Sequence, residues 1–250
     1  MRTSAGLSFA LAWAAVLGMG AEASAQDIRK TSTSPNEWEN EIALYFWMPR
    51  MGGEVEIQNV DLDVDGDFDD MLKDLDSSIG LHYELWEHDS WGIAGDFFRM
   101  VLSDDPDVPA GDGELETEIL LAEALFIGRT RSGQAYLDVF GGFRWMSLDS
   151  HFEGGGVDED RSRSYVDPII GIRVGAMLSP WFHLSFRFDI GGFDVGTDFS
   201  TNTVFLATAY ASPTVKFSAG WRTYAFRIDD SDHEFSLTVD GPLISVHFGF

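Results

Sequence analysis

The chain has 250 residues, and its 42 Asp and Glu against 16 Lys and Arg give a formal net charge of −26. So acidic a surface repels phosphates and argues against nucleic acid as a partner. The absence of cysteine excludes disulfides, cysteine-ligated metals and thiol catalysis.

The first residues have the composition of a secretory signal peptide. Arg2 precedes an apolar stretch from Leu7 to Met19, and Ala23-Ser24-Ala25 forms a small-residue cleavage site. The apolar stretch is too short to span a membrane as a helix. We therefore expect a signal peptide at residues 1–25, a leader at residues 26–37 and one domain over residues 38–250.

From Trp38 onward, apolar and polar residues alternate, which is typical of β-strands with one apolar face. Between Phe182 and Ile190 every even-numbered residue is apolar, whereas the odd-numbered ones include Arg187 and Asp189. The polar faces mix Gly, Ser, Arg and Asp, as a crowded barrel interior requires. This composition favours a closed antiparallel transmembrane β-barrel, with apolar side chains facing lipid. A soluble lipocalin-like barrel is the alternative.

The links between the strands also alternate, short ones with longer acidic ones, as periplasmic turns and external loops do in outer-membrane barrels. The longer links are predicted at Ser103–Gly113, Glu153–Arg163, Gly196–Asn202 and Asp229–Glu234. The predicted strands occupy residues 38–48, 78–88, 90–102, 114–130, 134–150, 164–178, 181–195, 202–211, 214–228 and 235–250. About ten strands is the main prediction, and eight or twelve are alternatives that the pattern leaves open.

Residues 49–77 form a predicted external insertion between the first two strands. Val55–Val64 alternates, which predicts a short hairpin extension. Helical spacing of apolar residues then predicts a short amphipathic helix carrying Phe68, Met71, Leu72 and Leu75.

This insertion also contains the candidate metal site of the chain. Asp61, Asp63, Asp65 and Gly66 match positions 1, 3, 5 and 6 of an EF-hand loop. Position 12, which should be a Glu, is Leu72, so a true EF-hand is not expected. We expect a solvated strand and turn, with weak divalent-cation binding by the three aspartates as the alternative. No cofactor is predicted.

The chain ends on Phe250, preceded at alternate positions by Ile244, Val246 and Phe248. This ending resembles the signal by which Gram-negative bacteria pass β-barrels to their outer-membrane assembly machinery.

More widely, residues 37–250 resemble a family of uncharacterised, porin-like outer-membrane β-barrel proteins of proteobacteria. The stretches that carry the resemblance are FWMPRMGGEV (46–55), DFDDMLKDLD (67–76), WGIAGDFF (91–98), YVDPIIGIR (165–173), FRFDIGGFDVG (186–196) and VDGPLISVHFGF (239–250). The resemblance implies an outer-membrane barrel, and that family lends no established activity or catalytic residue.

The alternation places a ladder of charges of both signs inside the barrel. Its main members are Glu84, Asp96, Arg144, Asp167, Arg173, Arg187, Asp189 and Arg222. By the same alternation, further side chains are predicted to face inward, namely those of Glu39, Glu41, His82, Glu123, Asp138, His183, Lys216 and His247. Such groups pair across neighbouring strands because unpaired buried charges are costly. A structural filling of the lumen is the main interpretation, and a narrow polar pore is the other.

The function predicted from the sequence is that of a monomeric outer-membrane barrel, structural or permeable to small solutes, in contact with lipid and lipopolysaccharide. No catalytic residue is predicted, because no Ser lies in a recognisable nucleophile motif. His151 and His233, near acidic neighbours, are the basis for the alternative of a lipid-modifying or protease-like enzyme. A surface interaction protein acting through acidic external loops is the other alternative.

Overall fold

A computed structural model of the chain describes residues 38–57, 60–65, 75–104, 107–108, 111–154, 157–230 and 233–250. The strands are β1 (Trp38–Trp47), β2 (Arg50–Ile57), β3 (Val60–Asp65), β4 (Leu75–Glu87), β5 (Trp91–Asp104), β6 (Asp107–Val108), β7 (Gly111–Ser132), β8 (Ala135–Gly154), β9 (Val157–Ser179), β10 (Phe182–Gly192), β11 (Phe199–Tyr210), β12 (Val215–Asp230) and β13 (His233–Gly249). Within these ranges, no helix combines the length and apolarity needed to cross a membrane.

Ten of these strands form a closed antiparallel barrel, which confirms the main prediction. Their order around the wall is β1-β4-β5-β7-β8-β9-β10-β11-β12-β13, and β13 pairs with β1 to complete the circle. The predicted signal peptide, the leader and most of the predicted helix (residues 66–74) lie outside the described residues, whereas Leu75 opens β4.

The strand β2 follows β1 and pairs with the same neighbouring strand, β13. β1 pairs with the later half of β13, and β2 pairs with the earlier half, from His233 to Asp240. The interruption falls at Met48 and Pro49, where proline has no N–H to donate. Met48 N still donates to the carbonyl of Pro242 at 2.9 Å. β3 then folds back on β2 as a hairpin.

The two ends of the barrel differ. At one, the turn end, short links join the strands at 88–90, 133–134, 180–181 and 211–214, and Trp38 and Phe250 lie there too. Positive φ angles at His88, Asp89 and Gly133 make two of these links tight enough to reverse the chain. The opposite, extended end carries the far ends of β7, β8 and β9, which are 22, 20 and 23 residues long.

The predicted acidic loop at residues 153–163 is wrong in the described part of that range, which is strand. Residues 153–154 belong to β8 and residues 157–163 to β9. Backbone hydrogen bonds between paired strands do not depend on apolar alternation, so the ladder continues past the residues that face lipid. The described parts of the links predicted at Ser103–Gly113 and Asp229–Glu234 are strand for the same reason. The link predicted at Gly196–Asn202 is found instead at residues 193–198, because β10 ends at Gly192.

Large apolar side chains point outward around the barrel. The most exposed of those on the strands include Ile79, Phe126, Phe143, Ile170, Phe217 and Ile244. A continuous apolar exterior of this kind is unfavourable in water and matches the lipid-facing band of membrane barrels. The arrangement is that of a transmembrane barrel and the reverse of a lipocalin-like soluble one.

Candidate functional site

The interior of the barrel holds a layer of ion-paired side chains, here called the charged layer, centred on Arg144. The guanidinium Nη2 of Arg144 lies 2.7 Å from Glu123 Oε1 and 2.6 Å from Asp189 Oδ1. Arg187 contacts the other oxygen of each carboxylate, at 2.7 and 2.8 Å. These four residues come from β7, β8 and β10, so the pairs form a ring that crosses the lumen.

A second part of the charged layer surrounds Arg173 on β9. Its guanidinium contacts Asp138 at 2.8 Å and Glu84 at 2.5 Å. Asp138, which is fully buried, also accepts a hydrogen bond from Nε of Arg129 at 2.6 Å. His82 lies 3.1 Å from Glu84 and 3.1 Å from Asp96, and so extends the network towards β5.

Arg222 on β12 joins the two parts of the charged layer. It lies 3.9 Å from both Asp96 and Glu123, and it donates to Asn202 at 3.0 Å. Asn202 in turn donates to Asp189 at 2.9 Å. Because these buried charges have partners of opposite sign, the layer avoids the large cost of isolated charges in an apolar interior.

Tyr45 on β1 also belongs to the charged layer, and it reaches the layer because residue 80 on β4 is a glycine. Its hydroxyl donates to Asp96 at 2.8 Å. A Cβ placed on Gly80 would lie 2.0 Å from Cζ of the Tyr45 ring. The absence of a side chain at Gly80 therefore lets the ring lie across β4 and bring the hydroxyl to Asp96.

Asp167 has a different role from the one that its place in the ladder suggests. Its cross-strand neighbour is Arg144, yet its carboxylate accepts hydrogen bonds from the backbone N–H and hydroxyl of Thr197, both at 2.7 Å, and from Ser200. Thr197 is fully buried, in a link that begins at Gly192 with a φ of +93°. Asp167 thus anchors Thr197 of the β10–β11 link to β9.

Above the charged layer, towards the extended end, the interior is apolar. This apolar layer consists of Trp47, Phe98, Met100, Ile119, Leu121, Met146, Leu148, Tyr224, Phe226, Leu237 and Val239. They leave a cavity of about 10 Å³ between them. A cavity of that size accommodates about one water molecule and its lining is apolar, which leaves it dry.

Aromatic rings connect the two layers by contacting the arginines face-on. The guanidinium carbon of Arg144 lies 4.9 Å from the ring centre of Tyr224, and that of Arg222 lies 4.8 Å from Trp47. On the turn-end side, Arg129 lies 3.9 Å from the ring of Trp86. Such contacts stabilise a cation where water is excluded.

Outside the membrane-spanning part, the charged network continues to the turn at Asp89. Arg129 contacts Asp89 at 2.9 Å, and Arg131 forms an ion pair with the same carboxylate. Burial acts to raise the pKa of Asp89, but the hydrogen bonds from Arg131 and Arg129 outweigh it and lower that pKa. The turn therefore carries an ionised aspartate tied to β7.

The other candidates from the sequence are not brought together with this network. Asp61, Asp63 and Asp65 lie on the backbone of β3, and their side chains are outside the described set. His151 is exposed near the end of β8 and contacts Asp160 at 2.7 Å. His233 opens β13, and its side chain is also outside the described set. Among the side chains that are described, no group of three or more has the arrangement of a metal site.

Several members of the interior network were missed by the sequence reasoning. Tyr45, Arg129, Asn202, Thr197 and Ser200 all contribute hydrogen bonds to it. The alternation of side chains along β1 and β11 places Tyr45 and Asn202 on the inner face, so the sequence could have predicted both as interior residues. It contained no such signal for Thr197, because the link that carries Thr197 has no strand periodicity.

No family model matches the sequence, and no curated protein matches it. The chain is similar in structure to the outer membrane protease OmpT of Escherichia coli, with a TM-score of 0.52 at 12% identity over 90% of this chain and 100% of that one. It is also similar to the translocator domain of the autotransporter NalP of Neisseria meningitidis (TM-score 0.47, 12% identity, 97% and 96% covered) and to Ail of Yersinia pestis (0.39, 13%, 86% and 99%). At these identities the likeness to the protease shows the fold alone, an outer-membrane-type β-barrel.

Proposed function

We propose that the protein is a non-conducting barrel of the bacterial outer membrane that holds long strands outside the membrane. In this proposal the turn end lies in the periplasm and the extended end outside the cell, because short turns are periplasmic in such barrels. The barrel is a monomer in contact with lipid and lipopolysaccharide, and the assembly machinery recognises its end at Phe250.

The observation that carries the proposal is the filling of the lumen. Arg144 is 1% exposed and Asp138 and Asp189 are fully buried, so solvent does not reach the middle of the charged layer. The apolar layer lies directly above it and lines a cavity of only about 10 Å³. An ion moving through would have to break buried ion pairs and then cross an apolar section, each of which is costly.

The length of β7, β8 and β9 supports the second part of the proposal. A membrane-crossing strand needs about 9–11 residues, whereas these strands have 22, 20 and 23. About half of each strand is then available outside the membrane as a continuous sheet. This observation favours a surface role over transport, with the sheet as the part that meets lipopolysaccharide or another partner.

Conductance of the purified, folded protein in a planar lipid bilayer tests the proposal. We expect no single-channel steps, with a general porin reconstituted in parallel to show that the bilayer reports channels. Reproducible steps from protein whose folding has been verified by its heat-dependent gel migration would contradict a closed barrel. Recovery in the periplasmic fraction, and not with the outer membrane, would contradict the location.

A further inference from the structure

A second polar cluster lies inside the barrel at the turn end, next to the charged layer. It consists of Glu41 on β1, Ser218 on β12, and Ser245 and His247 on β13. Nδ1 of His247 lies 2.8 Å from Oε1 of Glu41. Nε2 of the same ring lies 2.9 Å from the hydroxyl of Ser218 and 2.9 Å from that of Ser245.

These contacts define the roles of the two ring nitrogens. An ionised Glu41 accepts a hydrogen bond from Nδ1–H, so the lone pair of the neutral ring is on Nε2 and faces the two hydroxyls. A carboxylate, an imidazole and a hydroxyl in this order form the arrangement that activates a serine as a nucleophile. Glu41 is itself held by an ion pair with Lys216.

One lone pair can accept a hydrogen bond from only one hydroxyl. Ser218 has another partner, because its oxygen lies 2.8 Å from the hydroxyl of Thr208. Ser218 is also buried, at 5% exposed, whereas Ser245 directly opposite it across the β12–β13 ladder is partly exposed. The hydroxyl that is both free to use Nε2 and open to a reactant is therefore that of Ser245.

Solvent reaches this cluster from the turn end. The side chain of Glu41 is 25% exposed and that of His247 is 13% exposed, in contrast to the buried carboxylates of the charged layer. Lys216, opposite His247 in the ladder, brings a cation to the same level of the lumen. Glu84, Lys216 and Thr208 adjoin members of the cluster. These polar neighbours suit a small reactant without a long acyl chain.

We propose that Ser245 is an activated nucleophile that accepts the acyl group of small carboxylic esters entering from the turn end. Its oxygen attacks the ester carbonyl carbon while its proton moves to Nε2 of His247. That proton then passes to the leaving alcohol oxygen as the ester C–O bond breaks, which leaves an acyl-serine. Water, deprotonated by His247, then attacks the acyl carbon. The bond between that carbon and Oγ of Ser245 breaks, the proton on Nε2 returns to Oγ, and a carboxylic acid is released.

The proposal goes beyond a closed barrel and does not depend on it, since the cluster opens to the turn end whether or not the lumen conducts. It also departs from the expectation that no residue is catalytic. The sequence signal was absent because the four residues come from three strands, and Ser245 stands in no nucleophile motif. In this scheme Ser245 and His247 are catalytic, and Glu41 is a positioning residue that acts through His247.

Labelling of the full, folded protein with a small alkyl fluorophosphonate tests the proposal. We expect phosphonylation of Ser245, located by mass spectrometry of the peptide. We expect His247→Gln to slow it by about 100-fold, as loss of a general base does. Ser185→Ala, which removes an inward-facing serine of β10 outside the cluster, serves as the matched control and leaves the rate unchanged.

Glu41→Gln separates positioning from packing. We expect its maximal labelling rate to fall while the probe concentration that gives half of that rate stays the same. Heat-dependent gel migration verifies the fold of each variant. The proposal is overturned if the folded wild type is not labelled, if label is found on Ser218 and not Ser245, or if His247→Gln is labelled as fast as the wild type.

Discussion

Arg144 illustrates how a single residue decides whether this interior is stable. It neutralises Glu123 and Asp189 where neither carboxylate has access to water. Replacing it with Met keeps much of the volume but leaves two buried negative charges with only Arg187 and Arg222 nearby. We expect Arg144→Met to lower the free energy of unfolding by about 3–5 kcal/mol, measured by urea unfolding in detergent with tryptophan fluorescence.

Arg99→Met is the matched control for that measurement. Arg99 forms an ion pair with Glu118 at 2.7 Å, but its side chain is 41% exposed. Because this pair lies on the outer surface and not in the packed interior, its loss leaves no enclosed charge, and the free energy of unfolding should fall much less than in Arg144→Met. Equal losses in the two variants would contradict a special role for the buried pair.

At this scale the sequence predicts the direction of a side chain better than its partner. Parity places Asp167, Arg144 and Asp189 on the inner face, and all three are buried. Parity also makes Asp167 and Arg144 direct neighbours, yet Arg144 pairs with Glu123 and Asp189. Asp167 is instead held by Thr197 of the β10–β11 link, a contact that no strand pattern contains.

Among the elements, the paired β8 and β9 show how polar residues stabilise strands beyond the lipid-facing band. His151 stands directly opposite Asp160 in the ladder, with Asp158 two pairs further on. The hydrogen bond to Asp160 raises the pKa of His151, and both aspartates add to that effect electrostatically. The charged imidazolium is therefore the form that favours the paired strands.

We expect His151 to titrate above its ordinary pKa of about 6.5 in the folded barrel, observed by NMR of its ring protons in micelles. A raised pKa means that the stabilisation is fully present below the unfolded value and is lost as the pH rises through the folded one. In Asp160→Asn the titration should move back towards the ordinary value. An unchanged titration in that variant would show that Asp160 is not the cause.

Strand positions were predictable because alternation follows from one face meeting lipid and the other the packed interior. β4, β10 and β12 begin and end within a few residues of the predicted bounds. The far ends of β8 and β9 were not predictable in this way. Both faces of those segments are polar, so their side chains carry no period even though their backbones remain paired.

Considered as a whole, the molecule has two different obstacles in series along its axis. The charged layer opposes ions through ion pairs that must break, and the apolar layer opposes them by excluding water. We expect either obstacle to be enough to stop conduction if the other is removed. This arrangement predicts how variants that open the lumen should combine.

We expect no conductance from Phe98→Ala with Met146→Ala, which thins the apolar layer, or from Glu123→Ala with Arg144→Ala, which removes an opposite pair of charges. The variant with all four changes should pass potassium ions, measured as flux from proteoliposomes. Folding of each variant is verified by gel migration. Flux through either double variant equal to that of the fourfold one would contradict two independent obstacles.

The pairing of β1 with β13 has a consequence for how the protein is made. Glu41 and His247 are in contact although they are 206 positions apart in the chain. Until β13 has been synthesised, β1 and the most recently formed strand both present unpaired edges, which are prone to join other chains. A chain without β13 therefore cannot close the circle, and we expect it to join its copies more readily than the complete chain does.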